Sequence, residues 1–409
     1  MIPRIQPAFT ISELWAALRA DAGTVHRFEA ALARHFNMRH AFAFPYGRTA
    51  LYCCLRALNC PGGEVVQPAY NCVVMAHATV KAGYRPVFVD VEADRPNQDP
   101  ERMLAAIGPR TVAVLPVSLF GFAFDAAALC SAIRARRRET LIVLDSCLAF
   151  DAAWNGERMA AQADAAVLAF GNEKPVVSLL GGALLTNRDD LAAAVRRYRD
   201  TTFRRATSAV VRRRWVYFAS SWLAYSNSGA EIAAWLKSRI APVGRYVQSW
   251  RERETIQLPP DNDVHMLPMA AGIGCAQLAR AAHLIGRRRE IGAMYNRELA
   301  NIPGLRVLQW PESSTYAIYA ARVPDAGARE HTVTALRRLG VQADSVWSYV
   351  VPALDCYRAE GYSGDAFPNA TEWAESVINL PSHPTMTNRE VVRVVAAVRR
   401  VFSDERYRG

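Results

Sequence analysis

Two short apolar runs, Leu141–Leu144 and Ala165–Phe170, constrain the fold more than any other feature of the chain. Neither alternates with polar residues, so each reads as a strand buried on both faces. Such strands need helices above and below their sheet. The neighbouring chain supplies them. Short strands are expected at Ala41–Phe44, Glu64–Val66, Pro86–Asp90 and Val112–Val117, with helices after Gly47, after Pro68 and over Ala126–Arg136. This alternation predicts an α/β architecture with a mostly parallel sheet between helices. No GxGxxG turn follows the first strand, which argues against a dinucleotide-binding Rossmann site.

The ends of the two runs carry chemistry. The first ends in Asp145, and the second is followed by Lys174 and then by Gly181-Gly182. Ligands of α/β sheets sit beyond the carboxyl ends of the strands, which places this carboxylate and this amine on one rim. Pyridoxal phosphate (PLP) uses such a pair directly: a lysine for its Schiff base and an acid to keep its pyridine nitrogen protonated. Taken singly, the lysine reads as a surface residue and the aspartate as a turn or capping residue; the pairing lifts both. Upstream, Ala41–Phe44 runs into PYGRTALYCCLRALN, where Gly47 opens a helix starting near Thr49. A strand, a glycine turn and a helix N-terminus form an anion site, to which Arg48 and the Thr49 hydroxyl would add donors. Ordinary capping and a solvated Arg48 explain the same residues.

A chain of 409 residues with 51% hydrophobic content can bury a large core and is expected to form two domains. Residues 187–255 are helical in pattern and rich in arginine and aromatics, and the proline-rich stretch 258–268 reads as a linker. A helix over Ala270–Leu299, strands at Leu305–Leu308 and Tyr316–Val323, and helices at Thr332–Leu339 and Asn388–Phe402 follow. The expected division is residues 1–257 for an N-terminal segment plus large domain, and 258–409 for a smaller α+β domain. The eight cysteines show no CxxC pairing and read as reduced thiols of a cytoplasmic protein. The first ten residues lack the pattern of a signal peptide, and no apolar run reaches the roughly 18 residues of a spanning helix.

The net charge of +11 lies largely in short arginine clusters such as Arg136–Arg138, Arg212–Arg214 and Arg287–Arg289. An anionic small substrate, an acidic membrane surface and nucleic acid compete as explanations; no nucleic-acid motif accompanies the charge, and solvated helix faces account for most of it. The segment Arg212–Ile240, with Trp215, Phe218, Trp222, Tyr225 and Trp235, would suit peripheral membrane contact or subunit packing, and packing is favoured. His77 reads as a core or subunit-contact residue and His383 as a structural turn residue.

Seven segments then occur in a fixed order across residues 28–402: GRTALYCCLRAL, GGEVVQPAYNCVVMAHATVKAGYRPVFVDV, TVAVLPVSLFGFAFD, LIVLDSCLAFDA, FGNEKPVVSLLGGALLTN, AAGIGCAQLARAAHLIGRRREI and VINLPSHPTMTNREVVRVVAAVRRV. Together they resemble the DegT/DnrJ/StrS family of PLP-dependent sugar aminotransferases, of the aspartate-aminotransferase fold type I. The resemblance implies a large domain with a seven-stranded sheet and a smaller C-terminal domain. It makes Lys174 the lysine that carries the cofactor, Asp145 the acid at the pyridine nitrogen, and Gly47-Arg48-Thr49 the phosphate-binding helix start. Several positions depart from the family pattern. Arg48 stands where threonine is usual, and Ala169 replaces a phosphate-binding serine. Leu148 replaces Gln or His after the acid. Cys72 takes the place of the ring-stacking aromatic, with Tyr70 nearby. Tyr70, Cys72, Cys147, Leu148 and Ala169 complete the expected cofactor-binding set. A cross-subunit asparagine that reaches the phosphate would fall near Asn262 or Asp263.

The resemblance further implies a homodimer with its active site at the interface, an amino-acid donor such as glutamate, and a nucleotide-linked keto sugar as acceptor. Lys174 would move the proton during transfer. The departures at Leu148 and Ala169 keep open another PLP reaction or a non-sugar carbonyl. A binding protein without turnover is a third reading, opposed by the retention of both Asp145 and Lys174.

Overall fold

The computed structural model describes residues 1–225 and 253–403. Nine strands precede residue 187: β1 (His40–Phe44), β2 (Glu64–Pro68), β3 (Arg85–Val89), β4 (Thr111–Val114), β5 (Leu141–Asp145), the short hairpin β6 (Ala153–Trp154) and β7 (Glu157–Arg158), β8 (Ala165–Ala169) and β9 (Gly182–Thr186). Seven of them form the large sheet, in the order β1-β9-β8-β5-β4-β2-β3. β3, β2, β4, β5 and β8 pair in parallel, whereas β9 runs antiparallel to both β8 and β1. The expected mostly parallel seven-stranded sheet is therefore present.

The two apolar runs behave as their composition requires. Every residue of β5 is buried. Leu141 and Val143 join Ala165 and Val167 in the core formed with the helix Gly47–Leu58, while Ile142 and Leu144 join Ala166 and Leu168 in the core formed with the helices Thr24–Phe36 and Ala126–Arg136. Successive side chains point to opposite faces, so one continuous apolar run feeds two helical layers. Each such large side chain contributes roughly 1.5–3 kcal/mol of burial.

The C-terminal part carries an antiparallel sheet of β10 (Arg306–Val307), β11 (Tyr319–Arg322) and β12 (Val377–Leu380). β11 is shorter than the expected Tyr316–Val323 because Tyr316 takes a left-handed backbone (φ 51°), which ends regular pairing there. The single helix expected over Ala270–Leu299 is two, Pro268–Ala279 and Ala281–Leu299, divided at Arg280. Residues near the amino terminus join this part: Ile2 donates to the carbonyl of Gly340 at 2.7 Å and accepts from Gln342 at 2.9 Å.

The eight cysteines are unpaired thiols. His77 is fully buried, with Nδ1 2.9 Å from the Tyr357 hydroxyl. His383 is also buried; its Nδ1 meets Thr385 Oγ1 at 2.8 Å, and burial beside Arg288 pushes its pKa down to about 4. Among the described residues no helix is long and apolar enough to cross a membrane. The helix Ser208–Tyr225 covers the first part of the segment read as membrane-facing or subunit-facing; residues 226–240 lie outside the described residues.

One close approach holds β9 against the start of the helix Gly47–Leu58. A Cβ on Gly182 would lie 2.3 Å from the Gly47 nitrogen and 2.4 Å from its Cα. No side-chain movement relieves a clash with backbone, so Gly182→Ala must push β9 away from the start of that helix. Replacement is expected to lower stability by about 1–3 kcal/mol, read as a reduced denaturant midpoint. An unchanged midpoint would show that the strand start tolerates a side chain.

Candidate active site

β5 and β8 are hydrogen-bonded neighbours, and their carboxyl ends open on one cavity of about 270 Å³. Asp145 closes β5. Its backbone N–H donates to Pro116 at 2.9 Å, its carbonyl accepts from Ser118 at 3.2 Å, and its Oδ1 accepts from the Cys147 N–H at 2.9 Å. The side chain is 5% exposed. Burial pushes its pKa above the usual carboxylate range, opposed by the Cys147 contacts and by the positive charge of Lys174.

Lys174 sits on the loop between β8 and β9. The loop is tied at its base, where Phe170 N–H donates to Gly181 at 2.9 Å and Ser178 N–H donates to Phe170 at 2.8 Å. Inside it, Lys174 N–H closes a turn onto Gly171 at 2.9 Å, while Val176 is buried in the core. The lysine is half-buried and lines the cavity with Gly171 and Glu173.

The third wall is the start of the helix Gly47–Leu58, contributed by Tyr46, Gly47 and Arg48. Its N-cap residue, Tyr46, makes no side-chain capping bond to the helix. First-turn N–H groups that no side chain caps, beside a cavity, make a receptor for an anion. Gly47 is required here too. A Cβ would fall 2.8 Å from that of Ala169 and 3.1 Å from the Leu168 carbonyl.

A buried network lies behind this helix start. Arg214 Nη2 donates to the Tyr46 hydroxyl and to Asp261 Oδ2, both at 2.6 Å, and the Tyr46 hydroxyl donates to Asp261 Oδ1 at 2.7 Å. Burial, with Asp261 adding to it against Arg214, pushes the phenol up to about 12, so it remains a donor.

Of the expected cofactor-binding residues, Gly47, Arg48, Cys72, Asp145, Cys147, Leu148, Ala169 and Lys174 line the common cavity. Thr49 and Tyr70 do not. Thr49 is buried and donates its hydroxyl proton to Asn262 Oδ1 at 2.5 Å, so the expected hydroxyl donor is committed elsewhere. Tyr70 is likewise buried, its ring stacked against Trp373 with centroids 6.3 Å apart. Tyr70 belongs to the core of the C-terminal part, because the chain turns it away from the cavity that Cys72 lines. Of the two positions near which a cross-subunit asparagine is expected, Asn262 accepts from Thr49 within its own chain and Asp263 pairs with Arg204.

Sequence reasoning missed Tyr46, Asn71, Ser118 and Trp347, which also line the cavity. Tyr46 is flagged only by its place before the helix glycine. Trp347 arrives from the C-terminal part, its ring 5.0 Å from that of Phe120, and no local pattern marks it.

These residues fit PLP: an uncapped helix start for the phosphate, a buried carboxylate for the ring nitrogen, and an amine for the aldehyde. Comparison with known proteins points the same way. The model of the DegT/DnrJ/EryC1/StrS aminotransferase family matches residues 16–399. The chain belongs to that family. As a member it is a PLP-dependent aminotransferase. It is similar to the GDP-perosamine synthase of Caulobacter vibrioides, at 27% identity over 385 residues, spanning 92% of this chain and 89% of the relative. It is also similar to the spore coat polysaccharide biosynthesis protein SpsC of Bacillus subtilis, at 26% identity over 384 residues, spanning 92% and 88%. Among solved structures, the aminotransferase TlmJ from Streptoalloteichus hindustanus superposes with a TM-score of 0.76 at 25% identity, covering 98% of both chains.

The burial of Asp145 has a measurable consequence. Its carboxyl takes up a proton at a higher pH than an ordinary aspartate, and the neutral form cannot hold a pyridinium. PLP affinity is therefore expected to fall on acidification beginning above the usual carboxylate range, and Asp145→Asn to flatten that dependence while costing about tenfold or more in affinity. The linkage sign is opposite for the cofactor-free chain. A raised folded pKa stabilises below the unfolded value and loses that stability as pH rises, so Asp145→Asn is expected to raise its melting temperature at neutral pH. Absorbance titration of PLP and thermal melts across pH check both.

Proposed function

We propose that this aminotransferase moves an amino group from an amino-acid donor, glutamate in the first instance, to the keto carbon of a nucleotide-linked sugar for surface polysaccharide or natural-product biosynthesis. The observation that carries the reading is the single cavity lined by Asp145, Lys174 and the uncapped helix start at Gly47. The sugar and polysaccharide names of the two relatives support the acceptor class. Nucleotide-linked sugars carry a diphosphate, and Arg48 brings a positive charge to the cavity wall.

Bound PLP supplies an aldehyde that takes up the amino group and an electron-accepting ring. Lys174 Nζ anchors the cofactor and, once displaced by the donor, takes the proton from the donor Cα and delivers it onward. Asp145 holds the pyridine nitrogen protonated, which strengthens the ring's pull on electrons. The Gly47 and Arg48 backbone would hold the phosphate on the cavity that Lys174 also lines. Ala169 and Leu148 make that side of the cavity apolar and narrow the role of side-chain hydroxyls in binding.

The reading includes a second copy of the chain as partner. Ile11, Trp15 and Leu18 recur on one face of the first helix and are 58%, 52% and 57% exposed, an apolar stripe that a subunit contact would cover.

Borohydride reduction of the PLP-loaded protein is expected to fix the cofactor on the peptide containing Lys174. Lys174→Ala is expected to abolish this labelling and to lower turnover of glutamate to 2-oxoglutarate by at least about 10²-fold. Labelling elsewhere, or turnover retained by the variant, refutes the assignment.

A further inference from the structure

We propose that Arg214, Asp261 and Asn262 are positioning residues that clamp the first turn of the helix Gly47–Leu58 and thereby set the affinity of the site for the phosphate end of PLP. The inference rests on the function proposed above. It assigns a task to residues from two segments that lie far along the chain from the helix they hold.

The geometry is that of a clamp with two jaws. Asp261 grips Tyr46, just before the turn, through the 2.7 Å bond from the phenol. Asn262 grips Thr49, just after it, through the 2.5 Å bond from the hydroxyl. Between these two points lie Gly47 and Arg48, which face the cavity. Arg214 locks the first jaw: a single nitrogen bridges the Tyr46 hydroxyl and Asp261 at 2.6 Å each, and its guanidinium lies 5.3 Å from the Tyr46 ring centroid. Arg213 adds a longer contact to Asp261 at 3.6 Å. The loop behind the jaws is itself anchored, with Asn262 N–H donating to Pro259 at 2.9 Å and Arg204 N–H donating to Asp263 at 2.8 Å.

Arg214 and Asp261 are 7% and 5% exposed, and Asn262 is 8% exposed. The bonds of Arg214 and Asp261 are charge-assisted, and all of these bonds, shielded from water, fix direction as well as distance. Their directional effect matters because the anion site is made of backbone N–H groups, whose aim depends on the helix start alone. Thr49, with its proton given to Asn262, contributes by holding the turn. Ala169 offers no hydroxyl. The phosphate end therefore relies on backbone geometry more than on side-chain donors, and the clamp sets that geometry.

The test compares equilibrium binding of PLP with that of pyridoxal, which has the same ring and aldehyde but no phosphate. Full-length wild type, Asp261→Asn, Asn262→Ala, Tyr46→Phe and Arg214→Lys are titrated by absorbance, with melting temperatures recorded alongside. Asp261→Asn and Asn262→Ala are expected to lose about tenfold or more in PLP affinity and to keep wild-type affinity for pyridoxal. Arg214→Lys is expected to retain most PLP affinity, since one ammonium can meet both oxygens that now share one nitrogen. Should Asp261→Asn fail to fold, Tyr46→Phe, which deletes one oxygen, carries the same expectation. Equal losses for the two ligands, or a lowered melting temperature with PLP affinity unchanged, would make the network merely structural and overturn the proposal. Wild type that binds no PLP refutes the functional reading itself, whereas wild-type binding with unselective variants refutes the clamp alone.

Discussion

The fold is built around a carboxylate that is almost wholly buried. Asp145 terminates a strand buried along its whole length, and its ionised form is costly there unless positive charge faces it. Lys174, on the adjacent strand's exit loop, supplies part of that charge. A pyridinium between the two would supply the rest. The cofactor-free site thus holds a buried carboxylate whose charge is only partly balanced.

Placing these groups depends on backbone contacts that side chains would obstruct. Gly182 lets β9 run against the start of the helix Gly47–Leu58, and Gly47 lets that start approach Ala169. The antiparallel insertion of β9 between β1 and β8 brings the lysine loop and the helix start to the same rim. A sheet that stayed parallel throughout would need a long crossover after β8 and would carry the chain away from the cavity.

Much of this was legible in the sequence because the signals are local. Leu141–Leu144 and Ala165–Phe170 announced doubly covered strands, and their ends named the acid and the amine. The helix Ala126–Arg136 follows directly from its apolar spacing. What escaped depends on long-range contacts. Trp347 and Phe120 meet only through the tertiary fold, and Tyr70 is two residues from Cys72 yet occupies a different environment, since adjacent positions in a turn diverge by backbone direction. The break at Arg280 also eluded pattern reading, because helical spacing continues through it. The bond from Thr49 to Asn262 joins positions 213 residues apart, a matter of loop path that composition does not encode.

The lysine loop leaves the sheet at β8 and returns at β9, and these two strands are immediate partners. With Phe170 and Gly181 bonded at its base and Val176 sunk in the core, it is moored at three points. Moored in this way, the loop presents Lys174 from one wall of the cavity, while Trp347 reaches the same cavity from the C-terminal part, so its lining joins residues far apart in the chain.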